Sequence, residues 1–569
     1  MLLKTDVAIV GGGPAGSTVG SLLKKYDPSL KVTIFERETF PRDHVGESQL
    51  PAINGILEEM GVWDKVEEAG FPIKLGGTYR WGATDELWYL NFVRPEDFVP
   101  TARPAKLDGQ RRATAFHVDR SLFDKILLDH TEGMGCEVRY ETRIKEVVTD
   151  GDRVVKLVAT NQEGDFEVEA KYYVDASGEG GVLRTALNVG IEIPTTLRNI
   201  AFWDYWQDAG WAEAFPGGAT RVQIMSLGWG WIWFIPITPT RTSIGLVLPA
   251  DYYKSTGKRP EDIYLEAIAA EPMIADLTKN AIREKRFEAT KDWNYISDRL
   301  AGENWFLVGD SCGFADPILS AGMTLAHTSA RKVAYSILEL LANRHDAEWV
   351  QKQYSDGHRG QIRNHIRFAD FWYAGNGRFT DLQAYCSEIA ESSGLKLKPA
   401  EAFAWLGSGG FAVENPGHAR AATFPMSGVK KMTEKMVGAK AQSPLAGFNM
   451  VQASLGGVEQ TSFAIYAGGK IQAAPALKRG SAQLPYGGYF QLLLGSMKRP
   501  VEIDELIRHC TVEGRSRGVM KSSKDRVFLM DALEAVVLEE WAVAFHDPSK
   551  PPSKAVEASA TGESDGRGG

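Results

Sequence analysis

Residues 6–16 read Asp6-Val7-Ala8-Ile9-Val10-Gly11-Gly12-Gly13-Pro14-Ala15-Gly16, and a run of small, helix-compatible residues, Ser17 to Leu23, follows. An apolar strand therefore feeds straight into a G-x-G-x-x-G turn. Gly11 permits the tight turn, and Gly13 lets the backbone approach a pyrophosphate. Gly16 lets the helix pack closely on the strand, with its N-terminus aimed at the anion. Working outward, a second strand, Lys31-Val32-Thr33-Ile34-Phe35, ends at Glu36, whose carboxylate can accept hydrogen bonds from a ribose diol. The spacing from turn to acid is slightly long, and the loop Tyr26-Asp27-Pro28-Ser29-Leu30 absorbs the excess. Strand, turn, helix and acid in this order predict a dinucleotide site where a lone glycine turn would not.

A chain of 569 residues should hold more than one domain, and its 44% apolar content can build substantial cores. The formal net charge of −9 argues against a nucleic acid or an anionic membrane as partner. The first strand begins at the N-terminus, so no signal peptide is expected, and no apolar stretch reaches the length of a membrane span. The four cysteines, Cys136, Cys312, Cys386 and Cys510, form neither a metal spacing nor a disulfide framework. The expected location is the cytoplasm.

Taken in order, the chain predicts a helix from about Ala52 to Met60, then a turn entering a strand across Phe71–Gly82, with Lys74 just ahead of that strand. Phe116-His117-Val118-Asp119-Arg120 opens a helix. Strands at 136–140, 153–160 and 171–175 follow, the last meeting the turn Ala176-Ser177-Gly178. Residues 201–249 alternate aromatic and small side chains as an antiparallel sheet does, and include Trp231-Ile232-Trp233-Phe234-Ile235-Pro236. A strand at Trp305–Asp310 runs through Asp316–Gly322 into a helix ending near Asn343. The expected domains are a core over 1–345, a helical region over 346–480, a winged-helix-like module over 481–546 and a disordered tail over 547–569. Within the core the nucleotide part takes about 1–70, 100–185 and 290–345, and the substrate-side sheet about 71–99 and 186–289. The near-balanced charge of the C-terminal module does not support DNA binding.

The glycine turn, Arg120, the Asp175-Ala176-Ser177-Gly178 turn and Val308-Gly309-Asp310 together resemble the FAD-binding domain of the aromatic hydroxylase class. This implies an α/β fold: a Rossmann-type FAD-binding domain, an antiparallel substrate-side sheet and a mostly helical C-terminal region. Within that class, Trp231–Pro236 fits the W-x-W-x-I-P signature of flavin-dependent halogenases. Lys74-Leu75-Gly76-Gly77-Thr78-Tyr79-Arg80-Trp81-Gly82 looks like the segment carrying their essential lysine. Gly46-Glu47-Ser48 also matches, though prenyl reductases share something similar. The resemblance covers about residues 1–345 and is nearest to bacterial halogenases of phenol-like, pyrrolic or carrier-bound substrates in antibiotic biosynthesis.

The resemblance implies FAD, used as FADH2, held by Gly11, Gly13, Pro14, Ala15, Gly16, Glu36, Arg37, Ser48, Arg120, Asp310, Gly322 and Met323. It implies a halide turn at Ser320, Ala321 and Gly322, and chloride or bromide and O2 as co-substrates. Hypohalous acid would reach Lys74, which holds it by hydrogen bonding or as a haloamine beside an electron-rich ring. A lysine of this kind is otherwise a solvated surface residue. Trp231, Trp233, Phe234 and Pro236 would line the passage from flavin to substrate; the plainer reading of alternate tryptophans is core packing. Tryptophan halogenases place a glutamate just before the corresponding serine. This chain has Leu319 there, which favours a phenolic or pyrrolic ring. With no second nucleotide fingerprint, a separate flavin reductase is the expected partner, and no metal is expected. The alternatives are a flavin-dependent aromatic monooxygenase, a prenyl reductase or a non-catalytic flavoprotein regulator.

Overall fold

The computed structural model describes residues 2–81, 86–291, 293–374, 420–421, 424–425, 443–480, 482–521 and 525–556. It divides into two compact units: residues 1–369 with 466–471, and the remainder.

The first unit opens with β1 (Leu2–Val10), α1 (Pro14–Tyr26) and β2 (Val32–Phe35). Val7 to Val10 are buried without alternation, as a strand covered on both faces must be. Pro14 starts α1 at the position that tolerates a missing N–H, and Lys24 and Lys25 sit in its last turn against the helix dipole. Next come α2 (Asn54–Met60), α3 (Trp63–Glu68), β3 (Ile73–Arg80), β4 (Trp88–Asn91) and β5 (Ala115–Phe116). Gly61 closes α2 at φ +84°, a left-handed cap. The segment continues through α4 (Arg120–Gly133), β6 (Glu137–Arg139), β7 (Arg143–Asp150), β8 (Arg153–Asn161) and β9 (Gly164–Asp175). Asp119 caps α4 by accepting from the Ser121 N–H at 2.9 Å.

These strands, with a later one at Trp305–Leu307, form a seven-stranded sheet in the order β6-β2-β1-β9-β8-β7, the later strand pairing with β9. Its nucleotide half is parallel, and β7, β8 and β9 turn back as antiparallel hairpins.

The second layer holds α5 (Val182–Ala186), β10 (Ile191–Glu192), β11 (Asn199–Gln207), β12 (Ala219–Ser226), β13 (Trp231–Pro236) and β14 (Arg241–Pro249). The chain continues with α6 (Ala250–Thr256), α7 (Pro260–Ala270), α8 (Pro272–Thr278), β15 (Ile282–Arg283) and β16 (Glu288–Lys291); β17 (Tyr295–Ser297) and β19 (Gly313–Phe314) form a small sheet with β10, and β18 is the strand Trp305–Leu307 of the first sheet. The second-layer sheet runs β15-β11-β14-β13-β12-β3-β4, with β16 on β11 and β5 on β3. The sheet is antiparallel except that β12 pairs with β3 in parallel. Finally α9 (Gly322–Leu341) packs on α1, and α10 (Ala347–Ala374) follows.

In the second unit, strands Val501–Glu502, Met450–Ala453 and Ala542–Phe545 form an antiparallel sheet beside helices Gly488–Ser496, Ile503–Ser516 and Asp525–Leu538. Its core includes Val451, Phe490, Leu493, Ile507, Leu533 and Trp541. The central strand comes from Met450–Ala453, ahead of the 481 at which a separate module was expected. The helical expectation over 346–480 meets helix to Ala374 and strands at Met450–Ala453, Glu459–Ala467 and Lys470–Arg479; residues 375–419 lie outside the described ones.

The tail expected to be disordered from 547 is ordered to 556. Asp504, in the first turn of Ile503–Ser516, accepts from the Ser553 hydroxyl and from the Lys554 and Ala555 N–H groups. Ala555 and Val556 are buried in the core. Among the described residues no helix is long and apolar enough to cross a membrane, and no cluster of side chains could hold a metal ion.

Candidate active site

The glycine turn has the geometry its sequence demands. Gly11 has φ +105°, and a Cβ there would lie 2.3 Å from the Ala176 carbonyl oxygen. A Cβ on Gly16 would lie 2.0 Å from the Gly11 oxygen, so helix and turn touch backbone to backbone. Gly13 is different: its nearest neighbour would be the Arg42 side chain at 3.5 Å, which leaves the uncapped N-terminus of α1 open to an anion. Pro14 and Ala15 form the buried first turn of α1, and Ala15 meets Gly309 from the far side of the cradle. Glu36 is buried and accepts from the Gly12 N–H at 2.7 Å and the Glu38 N–H at 2.9 Å, which fixes its carboxylate at the end of β2. Arg37 is exposed and paired with Glu38, away from the turn.

Arg120 is buried. It donates to both oxygens of Asp124 at 2.6 and 2.8 Å and to the Val45 carbonyl at 2.8 Å. The i, i+4 spacing on one helix face explains the pair. Burial raises the Asp310 carboxyl to about 6, with the positive charge of Arg120 opposing the rise. Ser48 Oγ and Thr324 Oγ1 are buried with no hydrogen-bond partner among the described residues. An open helix N-terminus, a carboxylate at the strand end and orphaned hydroxyls are what a bound dinucleotide with a polar ring edge would satisfy. The residues present fit FAD.

Lys74 was expected just ahead of a strand. It is instead the second residue of β3, only 2% exposed. Opposite Thr220 and Val222 the pairing with β12 slips by one residue, from Lys74 to Gly77. The extra residue on β3 changes its parity, so that Lys74 shares a face with Tyr79, Ile224 and Trp233 rather than with Thr78. Gly76 makes the bulge feasible, with φ +154° and no room for a Cβ, which would lie 1.9 Å from the Leu90 oxygen.

From that face Lys74 Nζ donates to the Gln49 carbonyl at 2.9 Å and reaches Ser320 Oγ at 3.4 Å. The Phe92 ring lies 5.4 Å away. Burial pushes the ammonium down to about 7. Ser320 has φ +57°, held by the short helical turn Pro317–Leu319 that Asp316 caps. Ala321 and Gly322 then start α9 with no side-chain cap among the described residues, an end that suits an anion, and Met323 is buried in its first turn. Lys74 and the expected halide turn, 246 residues apart in sequence, therefore meet.

Trp231 and Trp233 project from one face of β13 with ring centroids 6.0 Å apart. Trp81 adds to one end of the row and Trp203 to the other, each at 6.4 Å. Gly245 faces Trp233 because any Cβ there would strike the indole at 2.1 Å. Phe234 does not belong to this row. The period of two places it on the opposite face, packed with Ile232, Ile244 and Tyr264, so the passage-lining expectation is corrected for this residue. Pro236, two residues further on, shares the face of Phe234 and ends the strand buried, so the same correction applies to it.

Sequence reasoning passed over Gln49, Phe92 and Asp124, and gave Glu47, which it placed in the matching Gly46-Glu47-Ser48 motif, no role of its own. The i, i+4 pair could have revealed Asp124. Glu47 is buried, and its carboxyl is raised by that burial against hydrogen bonds that include the Tyr205 hydroxyl.

Fold and site define a flavoprotein whose nucleotide cradle adjoins a sheet carrying a buried lysine. The family described as FAD binding domain matches residues 4–368. A tryptophan 2-halogenase of Chondromyces crocatus is 32% identical over 66% of this chain and 69% of that protein. A 1H-pyrrole-2-carbonyl-[peptidyl-carrier protein] chlorinase of Pseudomonas fluorescens is 33% identical over 66% of this chain and 85% of its own. The crystal structure of CmlS, a flavin-dependent halogenase, superposes with a TM-score of 0.73 over 95% of this chain and 96% of its own at 22% identity, a likeness of fold. The chain belongs to the flavin-dependent halogenases: it is an FAD-using enzyme of the oxidoreductase type.

Proposed function

We propose that the chain halogenates an electron-rich aromatic ring, phenolic or pyrrolic, free or presented on a carrier protein. It uses chloride or bromide, O2 and FADH2 delivered by a separate reductase. The observation that carries this reading is the meeting of Lys74 Nζ with Ser320 Oγ and the Gln49 carbonyl in a buried pocket. Gly11, Gly13, Glu36, Arg120 and Asp310 hold FAD, which when bound and reduced supplies the oxygen activation that turns halide into hypohalous acid. The N–H groups of Ala321 and Gly322 hold the halide. Lys74, anchored through the Gln49 carbonyl, keeps the oxidant beside the ring and donates a proton to the departing hydroxide. The row Trp231–Trp233 walls the chamber and keeps the ring from the flavin.

The carrier-bound option rests on the relative that acts on a peptidyl-carrier-bound pyrrole. The relative that acts on tryptophan supports an indole instead, but Leu319 stands where tryptophan halogenases place their glutamate. The test is mass spectrometry of reactions containing FADH2, O2 and either halide. The substrates are free phenols, free tryptophan, and pyrrolyl and phenolic groups loaded on a carrier. Halogenated phenol or pyrrole is expected. Hydroxylated product that forms without halide would overturn the reading in favour of a monooxygenase.

A further inference from the structure

We propose that His117 is the proton partner of Lys74, a catalytic base that takes the ring proton and returns it to the lysine after halogen transfer; this rests on the halogenase reading above. The backbone brings the two together. β3 pairs with β5 so that Lys74 lies opposite Ala115. His117 is two residues further along the same extended segment and shares the face of Ala115. An antiparallel bridge places Ser48 opposite His117, on that face too. Phe116, between them in sequence, points the other way and packs on Trp63 at 5.6 Å. Lys74, His117 and Ser48 therefore project from one face of a small sheet held by the Gln49 N–H to Phe116 carbonyl and His117 N–H to Pro72 carbonyl hydrogen bonds, both 3.0 Å.

His117 is fully buried, and its ring has the Pro236 carbonyl as a backbone partner and no side-chain partner among the described residues. A neutral imidazole that donates one N–H to a carbonyl keeps its other nitrogen as an acceptor able to take a proton. The ring faces the carbonyl of Pro236, the last residue of the tryptophan strand, and Lys74 is the charged group whose field reaches it. Burial, then the Lys74 charge, hold His117 well below its usual range, so the imidazole is neutral while the lysine titrates.

The overall exchange is ring C–H plus hypohalous acid giving ring C–X plus water. The O–X bond breaks and the C–X bond forms. The hydroxide so released takes a proton from the Lys74 ammonium and leaves as water. The proton shed by the ring carbon passes to neutral His117 and on to the Lys74 amine, each step toward the stronger base. Lysine and histidine end as they began, and no further oxidant is needed.

His117→Gln and His117→Asn place an amide near Nε2 and Nδ1 respectively and cannot carry the proton. With the full-length holoenzyme, both should retain FAD and reoxidise FADH2 at the wild-type rate. Halogenated product per FADH2 oxidised should fall about a hundredfold, within the usual range for losing one acid–base group. His117→Ala should regain product with added imidazole, and with substituted imidazoles in proportion to their basicity, which a packing role would not show. Wild-type product yield in either amide variant overturns the inference. So does loss of FAD retention in both, which would make His117 a structural residue. If the wild-type protein itself halogenates nothing on the substrate panel, the halogenase reading fails first and separately.

Discussion

Lys74 decides the chemistry, and its environment sets both its protonation and its cost. A lysine held at about 7 is half neutral at physiological pH. The halide turn and the Gln49 carbonyl give it a fixed place but no carboxylate to hold its charge. Because the proposed role is proton donation, halogenated product per FADH2 oxidised should fall as pH rises through about 7. Flavin reoxidation should not follow the same curve. Lys74→Ala should keep FAD and oxygen consumption and lose product about a hundredfold to ten-thousandfold. Equal halogenation by the variant would make Lys74 structural. Stability carries the opposite mark. Between about 7 and the unfolded lysine value near 10.4 the unfolded chain binds one proton more, so stability rises with pH. Below 7 the burial cost is fully present. Lys74→Met should therefore stabilise the fold more at pH 6 than at pH 10, by on the order of a few kcal/mol in unfolding free energy; a pH-independent gain would show that the lysine is not buried charged.

Elements differ in how much of them the sequence displays. The G-x-G-x-x-G turn was legible because its requirements are local: Gly11 and Gly16 each answer to a backbone atom within a few residues or across one strand. The tryptophan strand was legible as a strand, and its alternation assigns Trp231 and Trp233 to one face, yet the same alternation removes Phe234, a consequence easily lost when a motif is read as a unit. The bulge in β3 could not be read at all. It exists only as a register slip against β12, a strand 146 residues further along (Ala219 opposite Ile73) whose parallel pairing no local pattern announces. Gly76 is its single local trace, and among 58 glycines it carries no flag. The bulge can be tested there. Gly76→Ala puts a Cβ into the Leu90 carbonyl at a backbone angle that alanine rarely adopts, so the strand must straighten or the sheet edge must part. The expected loss of stability is about 2–4 kcal/mol by denaturant unfolding, with product yield falling further than FAD affinity. A variant as stable and as active as wild type would mean that the bulge does not aim Lys74.

At the scale of the whole molecule, the site is assembled from pieces that the sequence holds far apart: residues 11–16, 48–49, 74, 120, 231–236 and 310–322. Each piece was recognisable where a motif names it. The contacts between pieces, such as Lys74 with Ser320, come only with the fold. The second unit was less legible for the same reason. Its central strand, Met450–Ala453, joins strands 50 and 90 residues later, so a boundary drawn at 481 cut through one core. Composition misled at the end of the chain, where Pro, Ser and Ala imply disorder but Asp504 captures residues 553–555. Burial alone would raise the Asp504 carboxyl, and the Ala555 N–H, the Ser553 hydroxyl and the Lys554 N–H more than offset it, leaving the carboxyl below its usual range. A carboxylate so depressed contributes stability above its unfolded value near 3.9 and loses that contribution as pH falls through the lower folded value. Removing residues 547–569 from the full chain should thus speed amide exchange in Ile503–Ser516 while leaving FAD retention intact. Asp504→Asn should expose the 553–556 amides at neutral pH and abolish the acid-dependent part of their protection. Unchanged exchange in both variants would show that the tail is not part of the second core.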